Sequence, residues 1–231
     1  MYKITLLFVL GVCFSQSIYA QDATKNKAID SVYHNYLYDQ RVAYFKELPV
    51  TKGGIVFIGN SITHWGDWAE LLQCPAVKNR GIAGDISYGI LARLDELINE
   101  KPRKIFIMIG VNDIGRKIPL ANTINNYTKI ITKLKTALPH TVLYIHSVLP
   151  INDTLINRQY YTGTNAEIKV MNARLKNMAA AFNITYVDIY SLLANKEGQM
   201  PARFTYDGIH LTAGAYIIWT DFLKRKGYCC N

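Results

Sequence analysis

From residue 54 onward, short apolar runs alternate with segments of helical period, and this alternation limits the possible folds more than any other property of the chain. Gly54–Gly59, Ala76–Asn79, Lys104–Gly110, Thr141–Leu149 and Ile184–Asp188 read as strands. Trp65–Leu72, Ser87–Asn99, Leu120–Leu138, Gly163–Phe182 and Thr212–Lys226 read as helices. A further helical pattern, rich in tyrosine, runs from Asn26 to Leu48 and is stopped by Pro49. Strands apolar on both faces need cover on both faces. The pattern therefore predicts an α/β protein with a parallel sheet of about five strands between helices.

The chain has 231 residues, 50% hydrophobic and 19% charged, which fits a single globular domain with a substantial core. Its first twenty residues differ from the rest. Lys3 precedes an apolar run from Ile4 to Phe14, and Ile18-Tyr19-Ala20 then offers a cleavage site before Gln21. The run is too short to span a bilayer, which needs about 20 apolar residues. Residues 1–20 are thus expected to be a signal peptide and residues 21–231 one exported domain, periplasmic or extracellular, without stable membrane insertion. Anchoring through a lipid on Cys13 is disfavoured, because Val12 stands where a small residue is needed.

Removal of the leader takes away Lys3 alone and reduces the net charge from +9 to +8. The basic residues are scattered, and the one dense cluster, Lys224-Arg225-Lys226, falls at a helix end where it complements the helix dipole. Nucleic-acid binding is not expected. Cys74, Cys229 and Cys230 remain after cleavage, an odd number that implies no regular disulfide framework. No Cys-x-x-Cys or His-Glu-x-x-His run is present, so neither a metal nor another cofactor is expected.

The chemistry lies in four short blocks. Ser61, in Gly59-Asn60-Ser61-Ile62-Thr63, follows the apolar run Ile55-Val56-Phe57-Ile58 at a strand-to-helix turn. Near the other end lies Asp207-Gly208-Ile209-His210. A serine hydroxyl is a weak nucleophile until a base takes its proton. His210 is the candidate base, with Asp207 placed three residues earlier to orient its ring. Between them come Gly84, in Gly81-Ile82-Ala83-Gly84-Asp85, and Asn112, in Gly110-Val111-Asn112-Asp113. The backbone N–H groups of Ser61 and Gly84 and the amide of Asn112 are candidate oxyanion donors. Ser61, Gly84 and Asn112 each follow a predicted strand, and in parallel sheets ligands bind at that carboxyl edge.

Each residue also has a plain structural reading. Ser61 alone could cap a helix, Asp207-Gly208 could be only a turn, Gly81 and Gly84 could be loop glycines, and Asn112 could bridge loop backbone. Their occurrence together and in this order favours the hydrolase reading. His64 is a rival base, three residues after Ser61. His34, His140 and His146 have no companion pattern.

These blocks resemble those of the SGNH hydrolase superfamily, the GDSL-like lipases and acylhydrolases, from about Gly53 to Leu223. The resemblance implies a flavodoxin-like three-layer α/β/α sandwich. It also implies Ser61 as nucleophile, Asp207 and His210 completing the triad, and Gly84 and Asn112 as oxyanion donors. Asn60 departs from the family, in which an acid usually precedes the serine. The runs Phe57–Trp65, Asn79–Asp85 and Leu91–Leu94 further resemble exported esterases that remove O-acetyl groups from sugars, of the sialate O-acetylesterase type. The expected partner is then a small-molecule or glycan ester. A lysophospholipid or thioester substrate, or a catalytically silent carbohydrate-binding protein, are the alternatives. The loop Pro150–Thr162, with Tyr160 and Tyr161, is a candidate wall of the substrate pocket. Trp65 and Trp68, three apart on one expected helix face, could stack on a sugar or pack in the core.

Overall fold

A computed structural model describes residues 29–229. The expected signal peptide, the start of the helix expected from Asn26, and Cys230 lie outside them. Five strands, β1 (Ile55–Gly59), β2 (Val77–Gly81), β3 (Lys104–Met108), β4 (Val142–His146) and β5 (Thr185–Val187), form one parallel sheet in the order β2-β1-β3-β4-β5. Ten helices accompany them among the described residues: α1 (Tyr36–Glu47), α2 (Ser61–His64), α3 (Trp68–Leu71), α4 (Ser87–Ala92), α5 (Leu94–Glu100), α6 (Val111–Gly115), α7 (Leu120–Ala137), α8 (Asn165–Ala181), α9 (Tyr190–Leu193) and α10 (Ala213–Arg225).

Helices α4, α5, α7 and α8 pack together, and α3, α9 and α10 form a second group, which makes the three-layer sandwich. The register aligns Phe57, Phe106 and Tyr144 across the three central strands. Their rings stack at 4.5 Å centroid spacings, and Trp68 of α3 continues the stack at 4.3 Å from Phe57. The strand order reverses between β1 and β3, the switch point where sheets of this order open a crevice.

Three local expectations are corrected. The N-terminal helix begins only at Tyr36, because Asn35 is extended and its side chain caps the Tyr38 N–H at 3.0 Å. The helix expected over 65–72 is shortened to α3, and a separate short helix, α2, ends just before it at His64. Asn79 of β2 places its amide nitrogen 2.9 Å from the carbonyls of Thr63, His64 and Gly66, which holds the chain out of helical geometry between them. Trp65 and Trp68 therefore do not share a helix face. Trp68 is 1% exposed and stacked on Phe57, whereas Trp65 caps α2 and is 53% exposed.

The third correction is at Arg93, where the helix expected over 87–99 breaks into α4 and α5. The Arg93 side chain is fully buried. Its Nε and Nη2 donate to Asp85 Oδ2 at 3.1 and 3.0 Å, and Nη2 also reaches the Gly59 carbonyl at 3.4 Å. Burial pushes the Asp85 carboxyl up to about 6 although Arg93 pulls the other way. At neutral pH the pair is ionised, and each partner neutralises a charge that the core would otherwise reject. Arg93→Met is expected to cost about 3–5 kcal/mol, since it leaves the Asp85 carboxylate buried without its cation, and Asp85→Asn less, since Glu96 Oε1 still lies 3.7 Å from Arg93 Nη1. The double variant should cost less than the sum of the singles, a difference that urea unfolding of all four proteins measures.

Candidate active site

Ser61 is the first residue of α2, immediately past the carboxyl end of β1. Asn60 caps that helix, its side-chain oxygen accepting from the Ile62 N–H at 3.0 Å. The Ser61 N–H, one of the donors of the first turn, thus has no intrahelical acceptor. Asn60 performs here the capping that an acid would perform, without adding a negative charge beside the serine.

The Ser61 hydroxyl lies 2.9 Å from His210 Nε2, and His210 Nδ1 lies 2.6 Å from Asp207 Oδ2. The structure therefore joins all three residues in one hydrogen-bonded chain. Asp207 Oδ1 also accepts from the backbone N–H groups of Ile209 and His210 at 2.9 and 2.8 Å. Burial pushes the Asp207 carboxyl up, but the bonds from the His210 backbone and ring and from Ile209 outweigh it. The net position is below the usual carboxylate range. A carboxylate held ionised against Nδ1–H fixes the ring so that Nε2 faces the serine.

The turn carrying this pair is braced from two sides. Thr205 and Leu211 form an antiparallel bridge across its base, and the Tyr206 N–H donates to the His210 carbonyl at 3.1 Å. From the 150–162 loop, the Asn152 N–H donates to the Gly208 carbonyl at 2.8 Å. Gly208 has φ +94, and a Cβ there would press on the Asn152 carbonyl and the Ile156 nitrogen.

Gly84 stands in an exposed turn after β2 with φ +80 and open space where a side chain would be. Asn112, at the start of α6, donates from Nδ2 to the Asp85 carbonyl at 2.9 Å. That bond uses one of the two amide hydrogens and aims the group while the other stays available. Next to it, Asp113 accepts from the Ser87 N–H and hydroxyl and from Thr123, which ties α6 to the start of α4.

His64 is turned elsewhere: its Nδ1 accepts from the Ala83 N–H at 3.1 Å, and burial, aided by Arg41, holds its pKa below the ordinary histidine value. It bridges α2 to the Gly84 turn. Among the three aromatic candidates, Trp65 stands beside the reacting groups, its ring centroid 4.1 Å from that of His210. Tyr161 is buried with its ring against Gly115 and Gly163, a packing position, and Tyr160 is exposed. Arg93, Asp85, Asn152 and Gly208 carry no role that their sequence positions alone announce. The glycine in Asp207-Gly208 was the one legible signal, since a positive φ is what a tight turn asks of it.

The described residues hold no group of three or more His, Cys, Asp or Glu side chains placed to bind a metal ion. The arrangement can activate a serine hydroxyl and receive charge on a carbonyl oxygen, which is the chemistry of acyl transfer.

Residues 57–217 match the GDSL-like lipase/acylhydrolase family. The chain is similar to platelet-activating factor acetylhydrolase IB subunit alpha2 of Gallus gallus, with 25% identity over 169 residues that cover 70% of each protein. Among solved structures it is similar to a Streptococcus pneumoniae protein described as a platelet activating factor. That pair has a TM-score of 0.76 and 28% identity over 82% of this chain and 92% of the other. A Bacteroides fragilis protein described as an acylhydrolase superposes with a TM-score of 0.71 and 26% identity, over 84% and 97%.

Two outcomes test the turn. Gly208→Ala should cost about 1–3 kcal/mol of stability in urea and lower turnover by shifting His210. Asp207 binds fewer protons in the folded than in the unfolded chain just below pH 4, so its contribution is complete above about pH 4 and disappears as pH falls through its lowered native value. Asp207→Asn should therefore make stability depend less steeply on pH between 2 and 4, read as urea midpoints across that range.

Proposed function

Because the chain belongs to the GDSL-like lipase/acylhydrolase family and is an ester hydrolase of that kind, we propose that it works as a serine esterase through Ser61, His210 and Asp207, with short acyl esters on sugars as substrates. The observation that carries this reading is the continuous hydrogen-bonded chain from the Ser61 hydroxyl to Asp207.

In this reading, the Ser61 oxygen attacks the ester carbonyl while His210 Nε2 takes the hydroxyl proton. The oxyanion is held by the N–H groups of Ser61 and Gly84 and by the Asn112 amide. The tetrahedral adduct collapses, the carbon–oxygen bond to the alcohol breaks, and His210 returns its proton to the departing oxygen. Water, deprotonated by the same nitrogen, then attacks the acyl-enzyme, and the acid is released with Ser61 restored. Asp207 stays ionised and balances the imidazolium in both halves. The residues supply every proton transfer, so the cycle needs no cofactor.

Acetyl as the acyl group, and a sugar as its carrier, are favoured by the likeness of the Phe57–Trp65 and Asn79–Asp85 runs to sugar O-acetylesterases, and by the exposed indole of Trp65 beside His210. Export belongs to the same reading: residues 1–20 have the composition of a signal peptide. No helix among the described residues is long and apolar enough to cross a membrane. One observation favours a second reading, a longer acyl chain. A cavity of about 400 Å³, lined by Ile114, Ile118, Leu120, Val170 and Met171 together with the ion-paired Lys117 and Glu167, lies where α6, which carries Asn112, meets α8.

Hydrolysis of p-nitrophenyl acetate and octanoate separates the two readings, acetate preference supporting the first and octanoate preference the second. Ser61→Ala and His210→Ala are each expected to lower kcat by about 10⁴-fold or more, and Asn112→Ala by about 10²–10³-fold. Retained activity in His210→Ala together with loss in His64→Ala would overturn the choice of base.

A further inference from the structure

We propose that the cleft between Trp65 and Tyr206 is the subsite for the alcohol half of the ester, and that it selects a neutral sugar over an acidic one. The inference rests on the esterase reading above and adds where the alcohol sits and what charge it carries.

Placement follows from the reaction. His210 Nε2 must protonate the departing alcohol oxygen, so the alcohol lies within hydrogen-bond reach of that nitrogen and extends along the His210 side of the site. A cleft of about 320 Å³ opens on that side, lined by Trp65, Tyr206, Asp67, Glu70 and Tyr216 among others. Trp65 joins it to the reacting groups, with its ring 4.1 Å from His210. Tyr206 belongs to the same turn as His210, to whose carbonyl its backbone N–H donates.

The lining shows what would bind. Trp65 and Tyr206 are 53% and 73% exposed, so most of two large aromatic surfaces is not used in packing the fold. Flat aromatic faces suit the C–H faces of a pyranose ring, which are apolar while its rim carries hydroxyls. Asp67 and Glu70 supply acceptors for those hydroxyls. Neither has a hydrogen bond to its carboxylate or an ion pair among the described residues, although the chain carries 26 lysines and arginines. The Tyr216 hydroxyl, in contrast, is committed to the Ile62 carbonyl at 2.6 Å and contributes only shape.

The sign of the charge decides between sugars. A sialic acid in this cleft would bring a third carboxylate beside Asp67 and Glu70, and juxtaposed like charges are strongly disfavoured at short range. A neutral sugar brings donors without that repulsion. A cationic alcohol brings no rim of hydroxyls for the two carboxylates to accept from, and at long range a chain of net positive charge repels it while attracting an anion, so the choice between sugars is made by Asp67 and Glu70 at contact distance.

The test compares kcat/KM for three acetyl esters, a mono-O-acetylated methyl glucoside, 9-O-acetyl-N-acetylneuraminic acid and acetylcholine, each divided by kcat/KM for p-nitrophenyl acetate. The glucoside should lead. Tyr206→Ala should raise its KM and lower its normalised value about tenfold. The Asp67→Asn, Glu70→Gln double variant should shift the glucoside-to-sialate ratio at least tenfold toward the sialate. A wild-type preference for the sialate or for acetylcholine, or normalised values unmoved by both variants, would overturn the subsite. If p-nitrophenyl acetate hydrolysis proves independent of Ser61, the esterase reading itself fails, and the two failures are told apart.

Discussion

Arg93 and Asp85 form the contact on which the geometry of the sheet's carboxyl edge depends. One guanidinium, buried between α4 and β1, reaches both the Asp85 carboxylate and the carbonyl of Gly59, the last residue of β1. Gly59 lies two residues before Ser61 in sequence. The Asp85 backbone carbonyl, in turn, receives the Asn112 amide. A single ion pair therefore connects the turns after β1, β2 and β3. Burying two charges there is unfavourable unless both are satisfied, so the pair tolerates few other arrangements of those turns. The glycine turn at Gly84 and the serine turn at Ser61 are positioned by the same constraint, with the His64–Ala83 hydrogen bond as a second tie between them.

The Asp207–His210 turn is held differently. Asp207 and His210 share one short turn, so their mutual geometry is local and robust, while their approach to Ser61 depends on distant support. Asn152 provides it: its backbone holds Gly208, its Nδ2 reaches the Met200 carbonyl at 2.7 Å, and its Oδ1 gathers donors from Thr154 and Leu155. The 150–162 loop thus serves the site mainly as a brace for the histidine turn. Tyr161 anchors that loop by packing.

Much of the architecture was legible because it is written in local periodicity. The apolar runs at 55–59, 104–108 and 142–146 became the three central strands, and the strand-to-helix position of Ser61 followed from Gly59 and the apolar residues before it. What stayed hidden depends on partners far along the chain. Helical spacing continues through Arg93, and nothing nearby announces that its side chain reaches a carbonyl 34 residues earlier. The separation of Trp65 from Trp68 likewise depends on Asn79, whose own segment reads only as a strand end. Tyr206 carries no motif and gains interest only when the fold sets it beside Trp65. The Asp207–His210 spacing could be read as a hydrogen-bonded pair, but the meeting with Ser61, 149 residues away, needed the sheet.

The divergence of Trp65 from Trp68 also has an optical side. The chain has three tryptophans, and Trp68 and Trp219 are each 1% exposed in the same aromatic cluster, 4.9 Å apart. Their indoles emit from the core and respond when the core opens. Trp65 alone of the three is exposed, at 53%, and its ring lies against that of His210. A molecule seated against His210 would change the surroundings of this indole and leave the other two as they are, so occupancy of the site and opening of the core would be read from different tryptophans.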